Sequence, residues 1–310
     1  MNTQNFPNAR QSLPLPGLDG ANPLGFLGAL GLFRIVCRVR EYEDAKMRWV
    51  GRHGTWIPCL DDSNLDSQLL LDLLDSQLVR NIQGHPIKIL EALGSTDSGS
   101  HAALFREVSQ DAAEASWLAA LASSVTDATS VNNQLQTARR DYFFGNLSSV
   151  MARTTPAHIE RTVFHPWDYS DPLDNQSLHF DPSEDRRHAL QWNKPAGDPN
   201  RKVSGGMLGA NRLAIEAIAW FTSLPDGENL HTLGFTGFNS RNTRWTWPIW
   251  AFPLAFNTVT SVLALRELQE ENISTGSVQA MQYRGIAAAF RVARILVGKT
   301  PNFTPTQRVA

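Results

Sequence analysis

Basic side chains placed beside groups that can hold them are the feature of this 310-residue sequence most able to do chemistry. Arg186 and Arg187 follow Glu184 and Asp185, whose carboxylates can pair with the guanidinium groups and fix their directions. An arginine held in this way can bind a phosphate, or the edge of a guanine, through two parallel hydrogen bonds. A solvated salt-bridge cluster uses the same residue types. The pattern therefore predicts either a nucleic-acid contact or an exposed ion-pair cluster.

A second candidate contact lies where Gly205-Gly206 and Gly209-Ala210 precede a predicted helix. Free amides and the helix dipole at such a start can bind an anion, for example a backbone phosphate. Asn211 could then meet an adenine edge, and Arg212 a guanine or a phosphate. The preceding loop adds further basic residues: Lys194, Arg201 and Lys202. A glycine turn before a core helix is the alternative reading, and no Lys-Ser/Thr pair follows the glycines as in a nucleotide-binding P-loop.

A third candidate contact combines Arg241 and Arg244 with the tryptophans at 245, 247 and 250. Cations beside aromatic faces suit stacking on nucleotides. The tryptophans, however, lie in an apolar run that continues to Phe256, and large aromatic residues usually serve packing first. We expect the two arginines to contact nucleic acid and most of the tryptophans to lie in the core.

Metal-dependent hydrolysis is the rival chemistry, because acids and histidines are frequent between residues 165 and 188. The potential ligands are His165, Asp168, Asp171, Asp174, His179, Asp181, Glu184, Asp185 and His188. Their spacing matches no metal-site signature, and the G-x-S-x-G motif of serine hydrolases does not occur. We therefore expect no catalytic residue, no metal and no other cofactor, and keep a metal-dependent nuclease as an alternative.

The element that opens the chain is a buried helix. Asn22 can cap it, Pro23 suits its first position, and residues 24–36 are almost wholly apolar. Gly25, Gly28 and Gly31 recur every three residues and leave one face bare, so another backbone can approach closely. The apolar run is too short to span a membrane. Cys37 and Cys59 fit neither a zinc site nor a disulfide framework and are expected to be buried thiols.

The rest of the chain predicts an α+β fold, with an N-terminal helix-hairpin-helix region and a C-terminal half of mixed helix and strand. Residues 284–297 fit either a helix, with three arginines on one face, or a strand, with Arg291 and Arg294 on opposite faces. The predicted elements are a hairpin at 47–50 and 55–58, helices over 63–78, 102–121, 136–152, 156–163, 210–221 and 258–270, strands over 230–238 and 244–250, and a long loop over 165–204.

The charge distribution suggests two regions, 1–135 and 136–310, joined through a polar stretch at 123–135, although the two could also form one continuous domain. The first region holds 10 basic and 15 acidic residues, and the second holds 18 basic and 15 acidic. No acid occurs from Asn272 to Ala310. A polyanion would therefore meet the C-terminal region first.

Three segments resemble, in order, elements of a CRISPR-associated family from type I-G (formerly I-U) interference operons. The segment from Leu18 to Arg34 resembles a "DGxNPLxFLxALGxLR" opening. The segment 180–192 is similar to "DPxEDxRxAxxW", and it is followed by a match to "GxxGANRLAxE" that Glu216 completes. Residues 240–250 resemble "SRxxxxxxWPxW". On these residues the chain is identified as a large-subunit-type protein of a type I-G Cascade complex.

The resemblance implies a non-catalytic subunit of an RNA-guided surveillance complex in antiviral defence. Such a subunit contributes to recognition of the motif beside the target, to duplex DNA binding and to stabilisation of the R-loop. The implied partners are other Cascade protein subunits, guide RNA, double-stranded target DNA and the helicase-nuclease recruited for degradation, in the cytoplasm and without a membrane. A scaffold subunit that bridges proteins without reading nucleic acid is the alternative, which an exposed apolar patch at the glycine face or the tryptophans would favour.

Overall fold

The fold alternates helices with short antiparallel sheets, which confirms the predicted α+β class. A computed structural model describes residues 12–62, 64–80, 85–87, 98–108, 112–123, 133–137, 140–172, 177–182, 205–226, 229–237, 243–297 and 300–310. The helices are α1 (Pro23–Arg38), α2 (Ser67–Leu74), α3 (Ser98–Val108), α4 (Ala112–Leu121), α5 (Arg140–Arg153), α6 (Pro156–Phe164), α7 (Leu208–Ala217), α8 (Phe256–Leu263) and α9 (Thr275–Tyr283).

The first helix begins as the sequence predicts. Oδ1 of Asn22 accepts hydrogen bonds from the amides of Leu24 (2.8 Å) and Gly25 (3.2 Å), and Pro23 opens the helix. These bonds satisfy amides that have no partner within the helix. Every residue from Pro23 to Val36 is buried, as expected from the apolar sequence.

The N-terminal sheet contains the predicted hairpin. Its strands are β1 (Ser12–Pro14), β2 (Lys46–Arg52), β3 (Thr55–Asp61) and β8 (Leu254–Ala255), paired antiparallel in the order β1-β3-β2-β8. His53 and Gly54 join β2 to β3 with φ angles of 51° and 86°. A two-residue type I′ turn requires positive φ at both positions, which the glycine adopts without strain.

The C-terminal sheet is organised around β9 (Ile286–Val297). The strand β7 (Arg244–Trp250) pairs with one edge of β9, and β10 (Thr300–Phe303) and β11 (Gln307–Arg308) pair with the other. The strand β6 (Phe235–Thr236) pairs with β7, while β4 (Ser223–Asp226) and β5 (Asn229–Thr232) form a separate hairpin. The ambiguous segment 284–297 is therefore a strand, not a helix.

Several predicted helices differ in their limits. The helix expected over 102–121 is described as α3 and α4, which flank residues 109–111 outside the described ranges. The helix expected over 258–270 ends at Leu263 before a 3₁₀ turn at Arg266–Gln269. The helix α9 was not predicted. Among the described helices, none is long and apolar enough to cross a membrane.

The polar stretch at 123–135 ends inside the core rather than on the surface. Nδ2 of Asn133 donates to the carbonyl oxygens of Ala120 (3.0 Å) and Phe221 (2.7 Å), and Leu135 is fully buried. The Asn133 amide thus donates to buried carbonyl oxygens that would otherwise need another hydrogen-bond partner. The described end of the predicted linker thus packs against both regions of the sequence.

The main helix contact joins α1 to α7 through bare backbone. A Cβ atom added at Gly31 would lie 1.8 Å from the carbonyl oxygen of Leu213, so only glycine allows this approach. Gly25 makes a similar approach to the carbonyl oxygen of Asp19, at 2.3 Å for the added Cβ. The predicted close backbone contact at the glycine face is therefore confirmed at these two positions.

An aromatic cluster joins α1 to both sheets. Phe26 stacks on Trp49 with ring centroids 5.7 Å apart, and Trp245 lies 4.6 Å from Trp247. Nε1 of Trp247 donates to the carbonyl oxygen of Gly20 at 2.8 Å. The tryptophans at 245, 247 and 250 are all buried, which confirms their expected place in the core. Cys59 is buried and Cys37 partly buried, both as free thiols, and burial raises the pKa of Cys37 to about 12.

Replacing Gly31 by alanine should destabilise the protein by about 3 kcal/mol or more, because the methyl group would force two backbones apart. The gain in helix propensity, about 1 kcal/mol, is too small to offset this cost. Urea unfolding followed by tryptophan fluorescence would measure the difference.

Gly28→Ala is the matched control in the same helix. Its added methyl group would lie 3.3 Å from the end of the Leu18 side chain and clear of backbone atoms by 3.9 Å. We expect its free energy of unfolding to stay within about 1 kcal/mol of the wild type. Equal effects of the two substitutions would contradict the close contact between α1 and α7.

Candidate nucleic-acid interface

The predicted nucleic-acid residues divide into two groups. Asn211, Arg212 and Arg244 belong to the described part of the chain. The others lie outside the described residues: Arg186, Arg187, Lys194, Arg201, Lys202 and Arg241.

Asn211 is an internal residue with no exposed surface. Its Oδ1 accepts a hydrogen bond from the amide of Leu178 at 2.7 Å, and its Nδ2 donates to the carbonyl oxygen of Met207 at 3.0 Å. The side chain therefore fixes the irregular segment around Leu178 to the first turn of α7. The prediction of an adenine contact is corrected, because a side chain enclosed in this way does not reach a ligand at the surface.

Arg212 is also completely buried, and its prediction is corrected for the same reason. Its Nη1 lies 2.9 Å from Oε1 of Glu216, one helical turn along α7. Its Nε donates to the carbonyl oxygen of Leu78 at 3.3 Å. The guanidinium of Arg212 is thus fixed by hydrogen bonds, but its partner is a carboxylate of the protein and not a phosphate.

Glu216 is the centre of a buried ionic network. Oε2 lies 3.4 Å from Nη1 of Arg34, and Oε1 lies 2.9 Å from Nε2 of His85. Burial alone would raise the pKa of Glu216, but His85, Arg212 and Arg34 outweigh it and lower the pKa below its ordinary value. The carboxylate therefore stays ionised inside the core.

Arg34 supports the network from α1. It donates to the Ser116 hydroxyl at 3.0 Å, and its guanidinium carbon lies 5.5 Å from the centre of the Trp117 ring. Burial lowers the pKa of Arg34 to about 10, with Glu216 acting in the opposite direction. A guanidinium with this pKa is charged at neutral pH, so the network joins α1 to α7 through full charges and α1 to α4 through the Ser116 hydroxyl and the Trp117 ring.

At the start of α7 the amides of Gly206 and Leu208 bind Asp171 instead of an external anion, which corrects the phosphate prediction for these two amides. Oδ2 of Asp171 accepts from the amide of Leu208 at 2.7 Å, and the amide of Gly206 donates to the carbonyl oxygen of Asp171 at 2.8 Å. Arg161 also pairs with the Asp171 carboxylate, and His158 Nε2 lies 3.5 Å from it. A carboxylate of the chain itself therefore occupies this helix N-terminus, as the helix dipole favours.

Among the described acids of residues 165–188, Asp168 and Asp171 share Arg161 as a partner, and Asp181 pairs with a different residue. Asp168 lies 3.7 Å from Nε of Arg161, whereas Oδ2 of Asp181 accepts from the Tyr169 hydroxyl at 2.8 Å. Within the described ranges, no group of three or more histidines, cysteines or acids could hold a metal ion. Asp174, Glu184, Asp185 and His188 lie outside those ranges.

Tyr169 anchors both described flanks of residues 183–204, which contain most of the predicted contacts. Its hydroxyl binds the buried Asp181, just before this segment, and its carbonyl oxygen accepts from the amide of Gly205, just after it, at 2.9 Å. The described residues on the two sides of this segment are therefore held by the same residue.

Arg244 lies at the start of β7 with its side chain 37% exposed. Its Nη1 lies 3.3 Å from Oε1 of Glu271, an exposed carboxylate. Arg291, on the neighbouring strand, donates to the carbonyl oxygens of Glu270 and Glu271, and burial followed by the nearby Arg244 lowers its pKa. Arg244 is thus the described member of the predicted set that has surface available for a ligand.

Arg294 is a buried cation that sequence reasoning did not single out. It projects from the opposite face of β9 to Arg291 and donates to the carbonyl oxygen of Gln136. Burial lowers its pKa to about 10. The strand alternative for 284–297 already placed these two arginines on opposite faces, but the burial of Arg294 depends on the pairing of β9 with β7 and β10.

Comparison with protein-family models and with curated proteins finds no match to this chain.

Glu216→Gln should destabilise the fold by about 3–5 kcal/mol at neutral pH, because it leaves two buried guanidinium groups without their carboxylate. The pKa of Glu216 is lowered from its ordinary value of 4.5, so its ionisation stabilises the folded state above pH 4.5, and this stabilisation is lost as the pH falls further. The wild type and Glu216→Gln should therefore differ less in free energy of unfolding below pH 4.5 than at neutral pH, as measured by urea unfolding.

Glu160→Gln provides the control, since Glu160 is an exposed carboxylate of α6. Its effect should stay within about 0.5 kcal/mol at every pH. A Glu216→Gln variant as stable as this control would contradict the ionic network.

Proposed function

We propose that the chain is a non-catalytic subunit of a type I CRISPR RNA-guided surveillance complex. In this role it contributes to recognition of the motif beside the target, to duplex DNA binding and to stabilisation of the R-loop. Its partners are the other Cascade subunits, the guide RNA, the target duplex and the helicase-nuclease that degrades the target. It acts in the cytoplasm.

The observation that carries the proposal is that the three segments behind the resemblance contact one another. Arg34 of the first segment pairs with Glu216 of the second, and Gly31 packs on Leu213. Trp247 of the third donates to Gly20 of the first. A chance similarity at three separate places would not be expected to select residues that meet in one core.

The candidate contacts with nucleic acid are the predicted basic residues other than the buried Arg212. They are Arg244, with its partly exposed side chain, and the residues outside the described ranges: Arg186, Arg187, Lys194, Arg201, Lys202 and Arg241. Protein arginines that read a motif beside the target do so by bidentate hydrogen bonds to base edges in the major groove. The excess of basic residues in 136–310 fits contact with a polyanion.

The scaffold alternative depended on an exposed apolar patch at the glycine face or at the tryptophans. Gly25, Gly28 and Gly31 are buried, as are the tryptophans of β7. This observation favours the nucleic-acid role over the scaffold role without removing protein partners from the proposal.

The double substitution Arg186→Ala/Arg187→Ala should weaken binding of the assembled complex to a target duplex by roughly tenfold or more, because each arginine contact to a base or phosphate is lost. The complex would be loaded with guide RNA and titrated, at one fixed salt concentration, against a labelled duplex that matches the guide and has randomised flanks.

Arg38→Ala/Arg52→Ala is the matched control, since it removes the same charge from two exposed positions of the N-terminal region. We expect the affinity of this control complex for the target duplex to fall by less than threefold, because only the overall electrostatic field of the protein is weakened. Unchanged affinity in the Arg186/Arg187 variant, or an equal loss in the control, would refute the proposed contact.

A further inference from the structure

Two aromatic side chains are exposed where the connection between β7 and β8 meets the end of α9 and the start of β9. Phe252, between β7 and β8, is 66% exposed, and Tyr283, the last residue of α9, is 92% exposed. Gly285 lies between them: its carbonyl oxygen accepts from the amide of Ala251 at 3.0 Å, and a Cβ atom added to it would lie 2.5 Å from Cδ2 of Phe252. The Phe252 ring therefore lies over the backbone two residues beyond Tyr283.

The backbone that presents these rings is fixed. The amides of Arg284 and Gly285 close the end of α9 by donating to the carbonyl oxygens of Met281 (3.0 Å) and Gln282 (2.9 Å). Gly285 then turns the chain into β9 with a φ of 82°, which a glycine adopts without strain. Two rings held on ordered backbone lose little entropy when a flat ligand stacks on them.

Basic residues also belong to the segments next to the two rings. The Arg284 side chain is 50% exposed, and its Nη1 donates a hydrogen bond to Oε1 of Glu267 at 2.6 Å. This hydrogen bond lowers the pKa of Glu267. Arg266, next to Glu267, is exposed. Arg308 is fixed on the strand side by donating to the carbonyl oxygen of Ala287 at 3.3 Å. These segments thus contribute three guanidinium groups, one of which is paired with the carboxylate of Glu267.

From this arrangement we infer that Phe252 and Tyr283 form a stacking platform for single-stranded nucleic acid, with Arg266, Arg284 and Arg308 binding its phosphates. Proteins that hold a single strand combine aromatic faces for the bases with a basic surface for the backbone. The inference rests on the proposed nucleic-acid function and adds a second, separate contact, which would bind a displaced DNA strand or an exposed stretch of RNA.

A protein partner fits the patch less well. A stable protein interface buries about 800 Å² on each side around an apolar centre. Here the neighbours of the two rings are the small Ala251 and Pro253 and the charged Arg284, all exposed. The net positive charge matches phosphate groups, and flat rings accept any base.

The test is binding of the full chain to labelled single strands, one of DNA and one of RNA, measured by fluorescence anisotropy at a fixed salt concentration. Phe252→Ala/Tyr283→Ala should weaken binding by about tenfold or more, since each lost stacking contact alone accounts for several-fold. Tyr283→Trp should keep the affinity, because it retains an aromatic face. Whichever strand loses more affinity identifies the ligand as displaced DNA or as RNA.

Tyr142→Ala/Leu224→Ala is the matched control, because both side chains are 61% exposed and lie on α5 and β4. This variant should bind as the wild type does.

Arg284→Gln should also lower the slope of log affinity against log salt concentration by about 0.7, the value for one phosphate contact on a single strand.

The result that overturns the inference is equal single-strand affinity for wild type and Phe252→Ala/Tyr283→Ala. Loss of a complex subunit with no change in single-strand affinity would also overturn it, because the rings would then form a protein interface. The target-duplex experiment with Arg186 and Arg187 tests the proposed function separately. If the Arg186/Arg187 variant binds the target duplex normally while single-strand binding still depends on Tyr283, the proposed duplex contact is refuted and the stacking platform is supported.

Discussion

The ionised carboxylate of Glu216, fully enclosed between Arg34, Arg212 and His85, is the constraint on which the rest of the structure depends. An ion in the core costs several kcal/mol of lost hydration, and only well-placed counter-charges offset that cost. Arg34 can reach Glu216 because Gly31, one turn earlier in α1, lets the backbone of α7 approach without an intervening side chain. The ion pair therefore depends on the glycine, and the two contacts together hold α1 against α7.

Other parts of the molecule are arranged around this helix pair. The carboxylate of Asp171 occupies the N-terminus of α7, and Asn211 ties the segment at Leu178 to the first turn of the same helix. On the other side of α1, the Trp247 indole reaches the carbonyl oxygen of Gly20. The described residues that resemble the CRISPR-associated family thus act mainly as structural residues. The proposed reading of nucleic acid falls to Arg244 and to residues outside the described ranges.

Local patterns predicted much of the fold, because they depend on neighbours in sequence. The Asn22 cap, the glycine face of α1, the β2–β3 hairpin and the buried tryptophans of β7 all follow from residue type and spacing. The choice of strand for 284–297 could not, since it depends on hydrogen bonds to β7 and β10. The helix α9 lacks a strong apolar stripe and was not predicted.

The site predictions for Asn211 and Arg212 were wrong for a definable reason. A held arginine has the same residue type whether it binds a phosphate at the surface or a carboxylate in the core. Glu216 four residues later, among the apolar Leu213, Ile215 and Ala217, was the local sign of a buried pair. The partners from distant segments, Leu78, His85 and Arg34, have no local sign, because only the fold brings them to α7.

Purification of the tagged chain from its native host, with mass spectrometry and RNA sequencing of what accompanies it, tests the central claim most directly. The account predicts repeat-derived guide RNA together with the backbone subunits of a surveillance complex. A lone protein without RNA would contradict it.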